Sequence, residues 1–405
     1  MSQRQIMLYL HVHQPARVSP YTAFDIGMRH DYFKDTDEVS NEAIFRKVAE
    51  KSYLPTNRML LELLRSQPKF ALSLSITGTF LEQCEAWGED VLRSFQELVA
   101  TGRVEIVAET YYHSLAFFYS RFEFEKQVLM HREKVQKLFG VTPRVFRNTE
   151  LAYNNELAEW ADEAGYQGII AEGWDEVLGW RSPNYVYTAP GIKRLKLLLK
   201  NYRLSDDIAF RFSNQHWAEW PLTSEKYITW LDAINDDEKL INLCMDYETF
   251  GEHQWEAHGI FDFMKAWIPK WLEHDDHSFV TASEAATGHE PADVVSVERT
   301  ITWADTERDL SAWLGNSMQQ EALRHLYDLE DDVLRSHNLQ LISDWRLLQT
   351  SDHVYYMCTK WFTDGDVHAY FSPYGSPYDA FIYFMNAVRD IRFRLMQVAS
   401  GEEIR

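Results

Sequence analysis

Glu150 ends the run VFRNTE, and Asp246 follows LINLC in LINLCMDYETFG, 96 residues later. Breaking a glycosidic bond needs two such carboxyls on either side of it, one as nucleophile or base and one as proton donor. Each acid also has a plainer reading. Glu150 could be a surface glutamate or a helix cap, and Asp246 and Glu248 could be a structural pair. Strand alternation puts Asp246 and Glu248 on one face. Two acids leaving a buried strand are costly unless they are paired, hydrogen-bonded or titrated.

His11 and His13, in MLYLHVHQP, share a strand face by the same alternation. With Asp246 they could ligate a metal, but they could equally bind hydroxyls or sit in the core. No HExxH motif or thiolate cluster supports zinc. His113, in ETYYHS, follows a strand and is a candidate pocket group. Asp206 and Asp207, in RLSDDIAFRF, either cap a helix or line the site. Trp174, Trp217 and Trp255 stand near strand ends, where an aromatic platform for a sugar would lie; core packing is the alternative.

These residues must be carried by something. IMLYLHV (6–12), FALSLSITG (70–78), VEIVAET (104–110), RVFRNTE (144–150), QGIIAEG (167–173), LKLLLKNY (195–202) and LINLCMDYETFG (240–251) read as strands. Helix-like sequence falls between them at 42–65, 82–100, 122–138 and 154–165. That is the βα pattern of parallel strands joined by crossovers, whose carboxyl edge binds ligands. Polar groups collect at that edge, in HVHQP, TG, ET, NTE and AEG. From about residue 300 the character turns helical, over 304–334, 338–349 and 378–398. The expected division is a catalytic domain over 1–300 and a mainly helical domain over 301–405 packed on it.

Composition narrows the partners. The chain has 405 residues, 45% of them hydrophobic, with 62 acidic against 40 basic side chains and a net charge of −22. That sign disfavours nucleic acids and anionic membranes. Three cysteines, none in a CxxC, support neither a disulfide framework nor a thiolate zinc site. The start MSQRQIMLYLHVHQP makes a poor signal peptide, and no stretch approaches the roughly 20 apolar residues of a spanning helix. The cytoplasm is the expected compartment. Aromatic residues make up 14% of the chain, enough for a large core and for sugar stacking.

Four pieces, in order, resemble the signature regions of glycoside hydrolase family 57: HQP (13–15), GTFLE (78–82), FRNTELAY (146–153) and DYETFGEHQW (246–255). WADTERDLSAWLGN, beginning at Trp303, is similar to the helical stretch that follows the barrel in the family's α-amylase-like members. The resemblance implies an incomplete (β/α)7 barrel with a C-terminal helical domain. It implies a retaining enzyme acting on α-glucan or maltooligosaccharide, with Glu150 as nucleophile and Asp246 as acid/base, and without metal or cofactor. His11, His13 and Glu82 match positions around the substrate. His113, Trp174, Asp206, Asp207, Trp217, Glu248, Trp255 and Trp303 join them as candidate substrate-binding residues. Tyr247 departs from the small residue usual between the two acids. SDD at 205–207 fits the α-amylase-like branch better than the glucanotransferases. The retaining mechanism requires carboxyls about 5–5.5 Å apart, and it leads us to expect an Asp246 pKa raised by burial or by Glu150. The competing readings are a glucanotransferase or branching enzyme, a metal-dependent deacetylase-like hydrolase, and a non-catalytic glucan-binding homologue.

Overall fold

The first apolar run folds as β1 (Arg4–Val12), a strand buried along its length, as parallel strands covered on both faces are. The structure is a computed structural model and describes residues 4–360 and 372–400. β1 pairs in parallel with three strands. β8 (Leu240–Asp246) runs along one edge; β9 (His277–Val280) takes the first half of the other and β2 (Leu72–Ile76) the second. β3 (Val104–Ile106) extends this sheet from β2.

A second sheet runs β4 (Val145–Arg147), β5 (Gly168–Glu172), β7 (Lys196–Lys200), β6 (Val186–Thr188) and β10 (Asp293–Val294), with β6 antiparallel to β7. Backbone bonds join the two sheets at both ends. Ala108, just past β3, donates to Val145 O at 2.8 Å, and Asn201, just past β7, donates to Asn242 O at 2.8 Å. The domain is therefore α/β with a mixed sheet, followed by a C-terminal helical region.

Alternation sorts the side chains. Ile6, Leu8 and Leu10 pack outward among the helices. Met7 and Tyr9 point inward with Val145, Ile170, Leu198 and Cys244. The core also absorbs much of the aromatic excess, since Trp267, Trp271, Trp313 and Trp345 are fully buried. Cys84, Cys244 and Cys358 are buried. No helix among the described residues is long and apolar enough to cross a membrane.

Three local expectations are corrected. The stretch 304–334 is not one helix: 304–310 is irregular, with Asp305 and Arg308 in the left-handed region, and helices follow at Ser311–Leu314, Ser317–Tyr327 and Glu330–Arg335. Asn316 restarts the chain with a reciprocal capping box to Gln319, which is why it breaks there. Asp206 and Asp207 cap nothing; they lie inside the helix Tyr202–Ala209, whose N-cap is Asn201. Glu150 is no cap either, because Asn154 caps the helix that follows it. The helical region is fastened back to the amino-terminal part by Asp390, which accepts from Gly27 N at 2.7 Å and from Tyr32 Oη at 2.6 Å.

Candidate active site

Carrying the inward alternation one step past the apolar layer puts a polar side chain on, or just beyond, seven of the strands. These are His11 on β1, Ser75 on β2, Glu109 just beyond β3, Arg147 on β4, Glu172 on β5, Lys200 on β7 and Asp246 on β8. The register fixes neighbours, since His11 faces Ser75 on one side and Asp246 on the other, and Glu172 faces Lys200. Strand geometry thus builds a layer of charge over an apolar floor at the carboxyl edge.

Glu150 enters this layer from the turn after β4. Its backbone sits at φ 60°, and His113 sits at φ 52°. A left-handed conformation costs a non-glycine residue on the order of 1–3 kcal/mol, and such strain clusters at functional sites. The carboxylate is held on both oxygens. Oε1 lies 3.0 Å from His113 Nε2 and accepts from Ser351 Oγ at 3.3 Å, while Oε2 accepts from Trp303 Nε1 at 2.8 Å. Burial opposes its charge, but the His113 and Trp303 bonds outweigh burial and hold its pKa below the ordinary range.

Asp246 faces His11 Nδ1 at 3.5 Å, with its side chain 38% exposed. Here an expectation is overturned. Burial alone would raise its pKa, but His11, with His253 and the Arg147 guanidinium nearby, holds it below the ordinary range. The free site keeps both acids ionised.

Three imidazoles line the space between them. The His11 and His113 ring centroids are 4.8 Å apart, and those of His13 and His113 are 4.2 Å apart. Burial opposes the charge of His113, but Glu109 and Glu150 outweigh it and lift the pKa to about 9. Burial and the neighbouring His113 instead push His13 down to about 4. Neutral His13 then accepts from Thr77 Oγ1 at 2.9 Å and donates through Nε2 to Asp352 Oδ2 at 2.9 Å.

The structure thus gathers His11, His13, His113, Glu150, Asp246 and Trp303. Glu248 does not follow Asp246 onto the strand face. The strand ends at Asp246 and residues Tyr247–Thr249 form a 3-10 turn, so alternation no longer holds. Glu248 accepts instead from Tyr53 Oη at 2.7 Å, and burial, with Asp246 beside it, raises its pKa to about 8. An acid protonated in the fold but ionised when unfolded above pH 4.5 makes stability fall as pH rises toward 8. Glu248→Gln mimics the protonated form. It is expected to raise the melting temperature by a few degrees at pH 8.5 and leave it unchanged at pH 4.5; equal shifts at both values would rule out this origin.

The other candidates have different partners. Glu82 accepts from Tyr111 Oη at 2.8 Å, and Asp207 is paired with Arg211 at 2.5 Å. Asp206 reaches the polar layer through Lys200 at 3.1 Å. Trp217 packs edge-on against Trp230, Trp174 packs against the apolar cluster that holds Phe146, Ile169 and Leu197, and Trp255 is exposed with its ring stacked on His258. Sequence reasoning did not single out Glu109, Arg147, Ser351 or Asp352. Glu109 and Arg147 lay within strand ends it had marked, but Ser351 and Asp352 come from the helical region, in a stretch without a strand signal.

His11, Glu109 and His113 offer atoms close enough for a cation. Arg147 Nη1, however, stands 3.4 Å from both His11 Nε2 and Glu109 Oε2. A fixed guanidinium already neutralises that corner, and a second cation there would meet its repulsion.

Comparisons with known proteins bear on the family and the fold. The model of Glycosyl hydrolase family 57 matches residues 7–298. A protein of Methanocaldococcus jannaschii named "Putative alpha-amylase" is 41% identical over 403 residues, covering 97% of this chain and 85% of its own length. Among solved structures, a family 57 branching enzyme from Thermococcus kodakaraensis superposes with a TM-score of 0.72 at 14% identity, covering 98% of this chain and 92% of its own. The 4-alpha-glucanotransferase of Thermococcus litoralis gives 0.66 at 17% identity over 87% of this chain, which spans only 56% of that longer protein. On the family match and the archaeal relative together, the chain belongs to glycosyl hydrolase family 57.

Proposed function

We propose that the protein is a retaining α-glucan hydrolase of the α-amylase type, with Glu150 as nucleophile and Asp246 as acid/base. The observation that carries this reading is the pair of carboxylates at the ends of β4 and β8, each held by its own imidazole at one carboxyl edge. Residues 1–300 act as a barrel-like catalytic domain. The helical domain over 301–405 completes the site with Ser351 and Asp352.

In the first step Asp246 gives a proton to the glycosidic oxygen while Glu150 attacks the anomeric carbon, and the bond to the leaving sugar breaks. In the second, Asp246 takes a proton from water, which attacks the same carbon and releases Glu150. Asp246 is ionised in the free site, so it must take up a proton from solvent as the sugar binds before it can give one to the glycosidic oxygen. Trp303 and Ser351 hold the Glu150 carboxylate in the attacking orientation. His13 and Asp352 bind sugar hydroxyls. His113 flanks them, Glu82 and Asp206 serve as more distant substrate groups, and Trp255 offers an exposed ring for a glucose further along the chain.

Chromatography of products from maltoheptaose, starch and glycogen tests the proposal. Hydrolysis gives only products shorter than the substrate. Products both longer and shorter would assign the same two carboxylates to a glucanotransferase or branching enzyme, and no turnover of any glucan would refute the reading.

A further inference from the structure

Both proposed catalytic acids lean, through one ring each, on the same buried oxygen. Glu109 has no exposed surface. Its Oε2 lies 3.3 Å from His11 Nε2, 3.7 Å from His113 Nδ1 and 3.4 Å from Arg147 Nη1. The far nitrogens of the two rings face the acids, His11 Nδ1 at 3.5 Å from Asp246 and His113 Nε2 at 3.0 Å from Glu150. Glu109 Oε1 and His113 Nδ1 are both buried without a hydrogen-bond partner among the described residues. One carboxylate oxygen is therefore shared by two imidazoles, hydrogen-bonded to His11 at 3.3 Å and standing 3.7 Å from His113.

We infer that Glu109 is a positioning residue that couples the protonation of Asp246 to that of Glu150, acting through His11 and His113. The inference rests on the carboxylate assignment made above. A single buried anion favours the charged form of whichever ring needs it more. While Glu150 is ionised, His113 is the charged ring, and Glu109 and Glu150 hold it from opposite sides. Once Glu150 is esterified to the sugar it no longer carries charge, and His113 loses half of that support. The Glu109 charge then acts chiefly on His11 Nε2, whose other nitrogen faces Asp246 and so favours the ionised carboxylate needed as base. The proton balance closes on Asp246, which gives one proton to the leaving oxygen and takes one from the incoming hydroxyl, so that Glu109 gains none.

The remaining groups around Glu109 are accounted for. Tyr9 approaches from β1, His131 from the helix Arg121–Phe139 and Arg147 from β4. His131 Nε2 is tied to the carbonyl of Ile76 at 2.9 Å, so that ring is occupied elsewhere. Arg147 stays charged throughout. His11 and His113 are left as the groups that respond.

The test compares Glu109→Gln with wild type by titrating labelled histidine side chains by NMR, with His113 assigned from His113→Gln. Maltoheptaose kinetics are measured across pH in parallel. In E109Q the His113 midpoint is expected to fall by at least about one pH unit from its raised position, and the alkaline limb of kcat to move down with it. The kcat is expected to drop about 100-fold with KM nearly unchanged. A drop in kcat with both midpoint and limb unmoved would mean a merely structural role and overturns the inference, as does wild-type kcat. If E109Q does not fold, Glu109→Asp draws the charge back by one methylene, and midpoint and limb must still fall together; either moving alone overturns it. A wild type inactive on every glucan, with His113 still shifted by E109Q, refutes the carboxylate assignment. An active wild type with an unmoved His113 refutes the coupling.

Discussion

Glu150→Gln is expected to lower glucan cleavage by about 10⁴-fold or more, the scale of losing a covalent nucleophile. The amide keeps the size of the side chain and one acceptor for Trp303 Nε1, so far-UV circular dichroism should match wild type. What is lost is the anion that attacks carbon and the partner that helps keep His113 charged. His113 should therefore titrate lower in the same variant. Reducing-sugar release from starch measures the first effect. Wild-type rates from a folded E150Q protein would remove Glu150 from the chemistry, whatever the histidine does.

Asp246→Asn should cost about 10² to 10⁴-fold on maltooligosaccharides, the range that general acid–base catalysis contributes. The loss should depend on the leaving group. An aryl α-glucoside with an acidic phenol departs without protonation, so its first step should be far less impaired than that of maltoheptaose, and the covalent intermediate should accumulate as a burst. A uniform loss over both substrates would mean that Asp246 binds sugar and transfers no proton. The asparagine also removes the anion facing His11, so the rest of the polar layer must be checked by the thermal midpoint.

Much of this site was legible in the residues, for reasons that also mark where legibility stops. His11 and Asp246 were readable because alternation is local: each sits on the face set by an apolar residue two positions earlier. The same rule failed at Glu248, where the strand ended and a turn began. Polar groups were expected at strand ends, and Glu109 and Arg147 are two of them, but the pattern could not show that both converge on one histidine. The pKa of Asp246 went the other way from expectation because burial was visible in the sequence and the opposing His11 contact was not. The reading of 304–334 as one helix missed Asn316, whose capping box with Gln319 was present in the sequence as a restart signal. The second sheet's antiparallel β6 left no trace in a βα pattern that predicts parallel strands throughout.

The bond from His13 to Asp352 spans 339 residues, and that from Glu150 to Ser351 spans 201. During synthesis the amino-terminal sheets can form while the segment bearing Ser351 and Asp352 is still inside the ribosome or not yet made. Until it docks, Glu150 keeps its strained backbone with one restraint fewer, and His13 keeps its bonds to Thr77 and Thr79 without the one to Asp352. Contacts of such long range are closed late and slowly. A chain still short of its last hundred residues thus holds both sheets without a finished reaction centre, and the proposed site is complete only once the helical segment settles.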